Sequence, residues 1–401
     1  MFGHGQRKIG RNVIVLGWVS FFTDLASEML YPLMPLFFTQ TLGASPKLLG
    51  VVDGLAEGIS SGLRWISGAL SDRFRQRKPF VFAGYTISAL SKPLMGMSAW
   101  AVGWPLFLIG RCSDRLGKSI RTSARDALIA DSTAPESRGL AFGLHRTMDT
   151  CGAIAGPLLA LAILWARPQI SLAWFFVIAA IPGFISSLLT AAFVRDVPHD
   201  PRQTHMPSIW QPYPAPFWML LLANILFSLG NSSDSFLLLR SRQLGLSEAQ
   251  VVLAFAVYNM VYALGSTPLG HLSDKVGRRP VVISGWLLYA AVYLGFATTT
   301  DTSGPWALLA VYGLYQALTE GVTKALVSDL VAAHQRGGAI GLFYTASGLG
   351  QLAASIIAGF TWNIRLADGQ VMFPFAFGAG CAAAGAVVLA MMKLRPHDRP
   401  G

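Results

Sequence analysis

The sequence predicts an all-α integral membrane protein: twelve transmembrane helices arranged as two pseudo-symmetric six-helix bundles. Three observations predict it. The first is scarcity of charge. Of 401 residues, 31 are Lys or Arg and 20 are Asp or Glu, so 13% are charged and 53% hydrophobic. A soluble domain carries about 25% charged residues, and the mean hydropathy here is +0.49. This excludes a disordered chain, a secreted disulfide mini-protein and an ordinary soluble enzyme. The second is the recurrence of apolar runs long enough to span a bilayer. The third is an internal repeat.

A spanning helix needs about 20 mostly apolar residues. That measure yields twelve segments: 11–40, 46–70, 80–100, 104–131, 138–164, 171–194, 217–240, 247–270, 280–299, 305–333, 338–361 and 371–393. Breakers fall where turns are needed, at Gly43/Pro46, Gly103/Pro105, Pro168, Gly245, Gly304/Pro305 and Asp368/Gly369. Arg7, Lys8 and Arg11 precede the first run as in a signal peptide. That run is too long and lacks a small-x-small cleavage site, so it reads as a first spanning helix. Trp100, Trp104, Trp174, Trp210 and Trp218 fall near the span edges, as an interfacial belt does.

Ionisable residues within a span cost several kcal/mol unless they face a cavity or each other. Helix 1 carries Asp24 and Glu28 on one face, with a kink expected at Tyr31, Pro32 and Pro35. Helix 2 carries Asp53, Glu57 and Arg64. Helix 4 carries a stripe of Arg111, Asp114, Arg115, Lys118, Arg121 and Arg125 at spacings of mostly three and four. Helix 5 carries His145, Arg146 and Asp149; helix 7 carries Asn231 and Asp234; helix 10 carries Glu320 and Lys324, spaced for an i, i+4 pair.

The formal net charge is +11, yet the basic residues sort by side. Arg7, Lys8, Arg11, Arg73, Arg75, Arg77, Lys78, Arg138, Arg195, Arg202, Lys275, Arg278, Arg279, Arg336, Lys393, Arg395 and Arg399 share one set of loops. The opposite loops carry Lys47, Arg167, Arg242 and Arg365. The excess is therefore topological and not a nucleic-acid patch, and it places both termini in the cytoplasm.

The repeat appears twice in the same order. Residues 68–78, GALSDRFRQRK, match 270–279, GHLSDKVGRR. Residues 127–144 match 325–342, with Asp131/Asp329, Arg138/Arg336, Gly139/Gly337 and Gly143/Gly341 each 198 positions apart. The chain is thus read as a bundle at 1–194, a Pro-rich cytoplasmic linker at 195–216 and a second bundle at 217–401. Cys112, Cys151 and Cys381 stand far apart, and the seven His show no ligand-like pairing, so no disulfide framework or metal site is expected. There is no GxxxxGK[ST], GxSxG or HExxH, so no ATP-driven or hydrolytic chemistry, no enzyme activity and no cofactor are expected.

Twelve helices in two parallel repeats, with an acidic–basic turn after helices 2 and 8, resemble the major facilitator superfamily. Its loop signature, Gly-x-x-x-Asp-Arg/Lys-x-Gly-Arg-Arg, is matched at Gly270, Asp274, Lys275, Gly277, Arg278 and Arg279. The first copy matches at Gly68, Asp72 and Arg73 and departs at Arg75, where Gly is expected. The antiporter signature of helix 5, Gly-x8-Gly-x3-Gly-Pro-x2-Gly-Gly, is matched at Gly143, Gly152, Gly156 and Pro157; Ala160-Leu161 replaces the final pair. Small residues there also simply allow close helix approach.

The resemblance implies a transporter working by alternating access, with helices 1, 4, 7 and 10 lining the central cavity. It places Asp24, Glu28, Tyr31, Arg111, Asp114, Arg115, Lys118, Asn231, Asp234, Glu320 and Lys324 on the substrate and proton pathway. The loop motifs would latch the cytoplasmic helix ends, with Asp72 and Asp274 accepting from helix N-termini and Arg side chains. The function expected is proton-coupled export of a small molecule by a monomer in the lipid bilayer of the bacterial inner membrane. The alternative is an organic-anion carrier using the basic stripe of helix 4, because Arg binds carboxylate and phosphate bidentately.

Overall fold

The computed structural model describes residues 10–73, 76–134, 137–197, 212–332, 335–366 and 371–392, without the side chains of 62–73. Gly68, Asp72 and Arg73 belong to that stretch, so their side chains lie outside the described residues, as does most of the expected linker, 198–211.

Twelve long helices follow in chain order among the described residues: α1 (Arg11–Thr41), α2 (Pro46–Arg73), α3 (Lys78–Met97), α4 (Trp104–Asp131), α5 (Arg138–Ala166), α6 (Leu172–Phe193), α7 (Ala215–Gln243), α8 (Glu248–Val276), α9 (Arg278–Thr298), α10 (Gly304–Asp329), α11 (Arg336–Phe360) and α12 (Phe373–Met391). The strands β1 (Arg365–Leu366) and β2 (Val371–Met372) pair antiparallel before α12. Among the described residues, eight helices are long and apolar enough to cross a membrane by length and composition alone. The other four, α2, α3, α4 and α10, include the ones with the most in-span charge.

Local chemistry sets the ends. Proline opens α3, α4, α7, α10 and α12, where its missing N–H has no intrahelical partner to lose. Ser247 caps α8 in a capping box with Gln250. Gly277, between α8 and α9, has φ +94°, a left-handed conformation that β-substituted residues enter at a cost.

Two helices are interrupted, α1 where a kink is expected and α7 where none is. α1 is helical over Arg11–Leu30, turns at 31–33, and resumes as Met34–Leu36 and a π-helical Phe37–Thr41. Pro32 and Pro35 each remove a backbone donor there. α7 is helical over Ala215–Gly230 and Ser235–Gln243 and unwound at 231–234. That stretch, Asn-Ser-Ser-Asp, offers side chains that compete for backbone hydrogen bonds.

The chain forms two compact units, one of residues 1–31 with 62–205 and one of 32–61 with 206–401. Within the first, α1 packs on α5 and α6, and α3 on α4 and α6. Within the second, α7 packs on α11 and α12, and α9 on α10 and α12. The same four pairs recur, displaced by six helices. The divisions fall inside α1, after residue 31, and inside α2, whose residues 46–61 pack on α11. A Cβ on Gly54 would stand 3.0 Å from the Leu352 carbonyl oxygen, and one on Gly58 would stand 2.7 Å from Leu352 Cδ1. Trp100, Trp104, Trp174 and Trp218 are exposed, as an interfacial belt requires; Trp210 lies outside the described residues.

Candidate functional site

In the first unit, four of the six residues of the α4 stripe are buried, and Lys118 and Arg125 are half-buried. Arg111, Asp114, Arg115 and Arg121 are all less than a tenth exposed. Asp114 is the hub. It accepts from Ser88 Oγ at 2.5 Å and from Arg115 Nη2 at 3.0 Å, and Lys92 Nζ approaches it at 3.5 Å. Lys92 is 2% exposed and also donates to the Ser88 carbonyl at 3.1 Å. Sequence reasoning did not single out Lys92, because one lysine in α3 forms no pattern until α3 packs on α4. Arg121 stacks over the Tyr85 ring at 4.7 Å, and Arg111 over the Tyr31 ring at 5.9 Å.

A second cluster joins α1, α4 and α5. Gly152 and Gly156 bring α5 against the α1 backbone: a Cβ on Gly156 would stand 2.7 Å from Met29 N. Gly143 has open space around it, so close approach explains two of the three signature glycines. This contact sets Asp149 beside α1. Asp149 accepts from Ser20 Oγ at 2.7 Å and from Arg146 Nη1 at 3.1 Å, and its carboxyl lies at hydrogen-bond range of Asp24. Glu28 and Lys118 face the same pair. His145 is buried beside Arg125, Asp149 and Asp126, and its Nε2 has no hydrogen-bond partner among the described residues. Asp24 is thus the centre of this cluster, with Glu28, Lys118 and Asp149 around it. Asp149 is not on the expected pathway.

In the second unit, the break in α7 is held from several sides. Tyr289 donates to the Gly230 carbonyl at 2.8 Å, and the Ser233 N–H to Ser355 Oγ at 3.0 Å. Ser233 Oγ donates to Asp53 at 2.8 Å, and Tyr312 to Asp234 at 2.7 Å. Around it, Tyr289 stacks on Tyr293 at 4.1 Å and meets Tyr315 at 5.0 Å. Phe227 stacks on Trp286 at 4.8 Å with 7° between the rings.

Beside the break, α7, α9, α10 and α11 line an open cavity of about 160 Å³. Asn231 and Glu320 line it, as do Gln316 and Gln351; Asp234 and Lys324 do not. Glu320 accepts from the Tyr262 hydroxyl of α8, and Lys324 is exposed.

The loop motifs differ in detail from the latch expected of them. Arg278 Nη1 pairs with Asp329 at 2.5 Å, while its other nitrogen stands 3.4 Å from the motif's own Asp274. Arg77 Nε pairs with Asp131 at 2.6 Å in the first unit. The principal acceptors are thus the aspartates ending α4 and α10. The repeat pairs these two residues in sequence, but nothing there marked them as partners of the loop. Gly277 supplies the positive φ of the turn; among the described residues no group stands within 4 Å of the position a Cβ on Gly270 would take. Lys275 is exposed.

The sequence profile of the Major Facilitator Superfamily matches residues 16–240 and 220–401. An uncharacterized MFS-type transporter of Methanocaldococcus jannaschii is 38% identical over 367 residues, covering 90% of each chain. The multidrug resistance protein MdtH of Salmonella newport is 22% identical over 350 residues, covering 86% of this chain and 85% of the relative. Among solved structures, the nucleoside transporter NupG superposes with a TM-score of 0.76 at 14% identity, covering 95% of this chain and 99% of the other. At that identity the likeness shows the fold alone. The profile spans nearly the whole chain, and the archaeal relative matches nine-tenths of it, so this protein belongs to the Major Facilitator Superfamily of membrane transporters.

Proposed function

We propose that the protein exports a small molecule in exchange for protons, as a monomer of the bacterial inner membrane with both termini in the cytoplasm. Its halves, 1–194 and 217–401, would alternate access to the substrate. The observation that carries this reading is the acidic cluster of α1 and α5. Two carboxyl groups at hydrogen-bond range, Asp24 and Asp149, share one site for a proton, and Lys118 and Arg125 stand beside them. Losing or gaining that proton changes which neighbours the pair attracts, which is what coupling requires. The relative named for multidrug resistance supports the outward direction. The α4 stripe, motivation for an organic-anion carrier, is partly engaged already: Arg115 holds Asp114 and Arg121 covers Tyr85.

The test is a thermal-shift ligand screen at two pH values, followed by flux of the hits in proteoliposomes under an imposed pH gradient. Asp24→Asn and Asp149→Asn should each reduce gradient-driven flux at least tenfold. Full flux in both, and in Asp234→Asn, would end the carboxylate coupling. Flux indifferent to the gradient would end proton coupling itself.

A further inference from the structure

The cavity beside the α7 break is rich in amides. Four carboxamides line it: Asn224, Asn231, Gln316 and Gln351. Asn224 is engaged with Ser347, and the other three make no side-chain hydrogen bond among the described residues. Each carries two donors and an acceptor oxygen, and each is half-buried, so these atoms are open to a molecule in the cavity. The buried amides of the chain are engaged instead. Asn12 donates to Ser132 Oγ and to the Arg195 carbonyl, at 2.9 and 2.8 Å, and Asn224 donates to Ser347 Oγ at 2.7 Å. Three unengaged amides converging on one space are what a ligand with its own donors and acceptors would meet.

Charge narrows the class. Glu320 is the one carboxylate in the described lining, held by the Tyr262 hydroxyl, and no Lys, Arg or His contributes. A bound carboxylate or phosphate draws its strongest hydrogen bonds from charged donors; here it would find none and would face Glu320. Size narrows it further. About 160 Å³ lies well below the roughly 300–1,000 Å³ of pockets for drug-sized ligands, so the cavity takes one ring and leaves the rest of a larger molecule outside it. Tyr315 and Tyr344 offer ring faces, and the Phe227–Trp286 stack fixes the wall behind them.

We infer that this cavity binds an uncharged or singly cationic single-ring compound bearing hydroxyl or amide groups, which is the polar part of the transported molecule. The inference rests on the small-molecule transport reading and gives it a substrate class. The amides of Asn231, Gln316 and Gln351 hydrogen-bond the ring substituents, Glu320 accepts from a hydroxyl or ammonium group, and the tyrosines cover the ring.

The test uses the full chain in lipid nanodiscs and matched probes: glucose, glucosamine and glucuronate, and uracil with its carboxylated form orotate. Binding is read by thermal shift and equilibrium dialysis. At least one of glucose, glucosamine and uracil should bind saturably, and its carboxylated counterpart at least tenfold more weakly. Asn231→Leu and Gln316→Leu should each weaken that binding tenfold or more while the protein still melts cooperatively. Where a leucine variant does not fold, the near-isosteric Gln316→Glu replaces it and should shift preference from glucose toward glucosamine. Equal or tighter binding of glucuronate or orotate overturns the inference, as does binding unchanged in the variants. So does failure of all three uncharged or cationic probes. Proton uptake by proteoliposomes carrying a hit of any charge is scored separately, so the ligand class can fail while the transport reading stands.

Discussion

Lys92 brings an ammonium group to a buried place where it donates to the Ser88 carbonyl and meets Asp114 and the Ser88 hydroxyl, with Arg115 and Arg121 nearby. Removing one member of such a buried pair costs about 3–5 kcal/mol, mostly because the other is left uncompensated. Lys92→Met should therefore destabilise the protein by roughly that amount, measured by denaturant-induced unfolding in detergent. Arg115 still holds Asp114 at 3.0 Å, so the effect should sit at the low end of the range. The carboxyl pair of α1 and α5 makes a different prediction. If Asp24 and Asp149 share one proton, Asp24→Asn with Asp149→Asn should reduce gradient-driven flux little more than either alone. Multiplicative losses would show two independent sites. At this scale the sequence was half legible. An acid within a span announces itself by its desolvation cost, which is how Asp24, Glu28 and Asp234 stand out. Which acid meets which depends on the crossing of two helices, and no spacing within helix 5 points Asp149 at helix 1.

At the scale of the element, the α1–α5 crossing turns on Gly152 and Gly156, whose missing side chains let the backbones meet. Gly156→Leu should abolish folded yield in membranes, measured by size-exclusion chromatography of the detergent-solubilised protein. Gly143→Ala, with open space around it, should leave yield and melting unchanged. The break in α7 was written in the sequence as Gly-Asn-Ser-Ser-Asp, residues that favour turns over helix interiors. Hydropathy averaged over a span-length window conceals such a short interruption, because the flanking Ala215–Gly230 is strongly apolar. The kink of α1 was more legible because proline removes a donor wherever it stands.

At the scale of the whole molecule, the repeat had the greatest predictive reach. Four helix pairs recur across the two units, and the pairs Arg77–Asp131 and Arg278–Asp329 occupy matching places in them. Eight spans are legible by composition alone. The remaining four, which include the helices with the most in-span charge, emerge with a looser apolar measure and the breakers between them. The charge asymmetry of the loops predicts that a fluorescent protein fused to the C-terminus will mature in the cytoplasm, and that alkaline phosphatase fused there will be inactive. The opposite pair of results would reverse the proposed orientation.

The packing of Tyr289, Tyr293 and Tyr315 near the Phe227–Trp286 stack has an optical consequence. Tyrosine emission overlaps tryptophan absorption, so light absorbed by this cluster should re-emerge largely from Trp286. The second unit thus carries a built-in donor and acceptor beside its cavity, and any ligand or motion that shifts the wall should change the sensitised emission without a label. Trp286→Phe should remove that component and leave the emission of the exposed belt tryptophans in place.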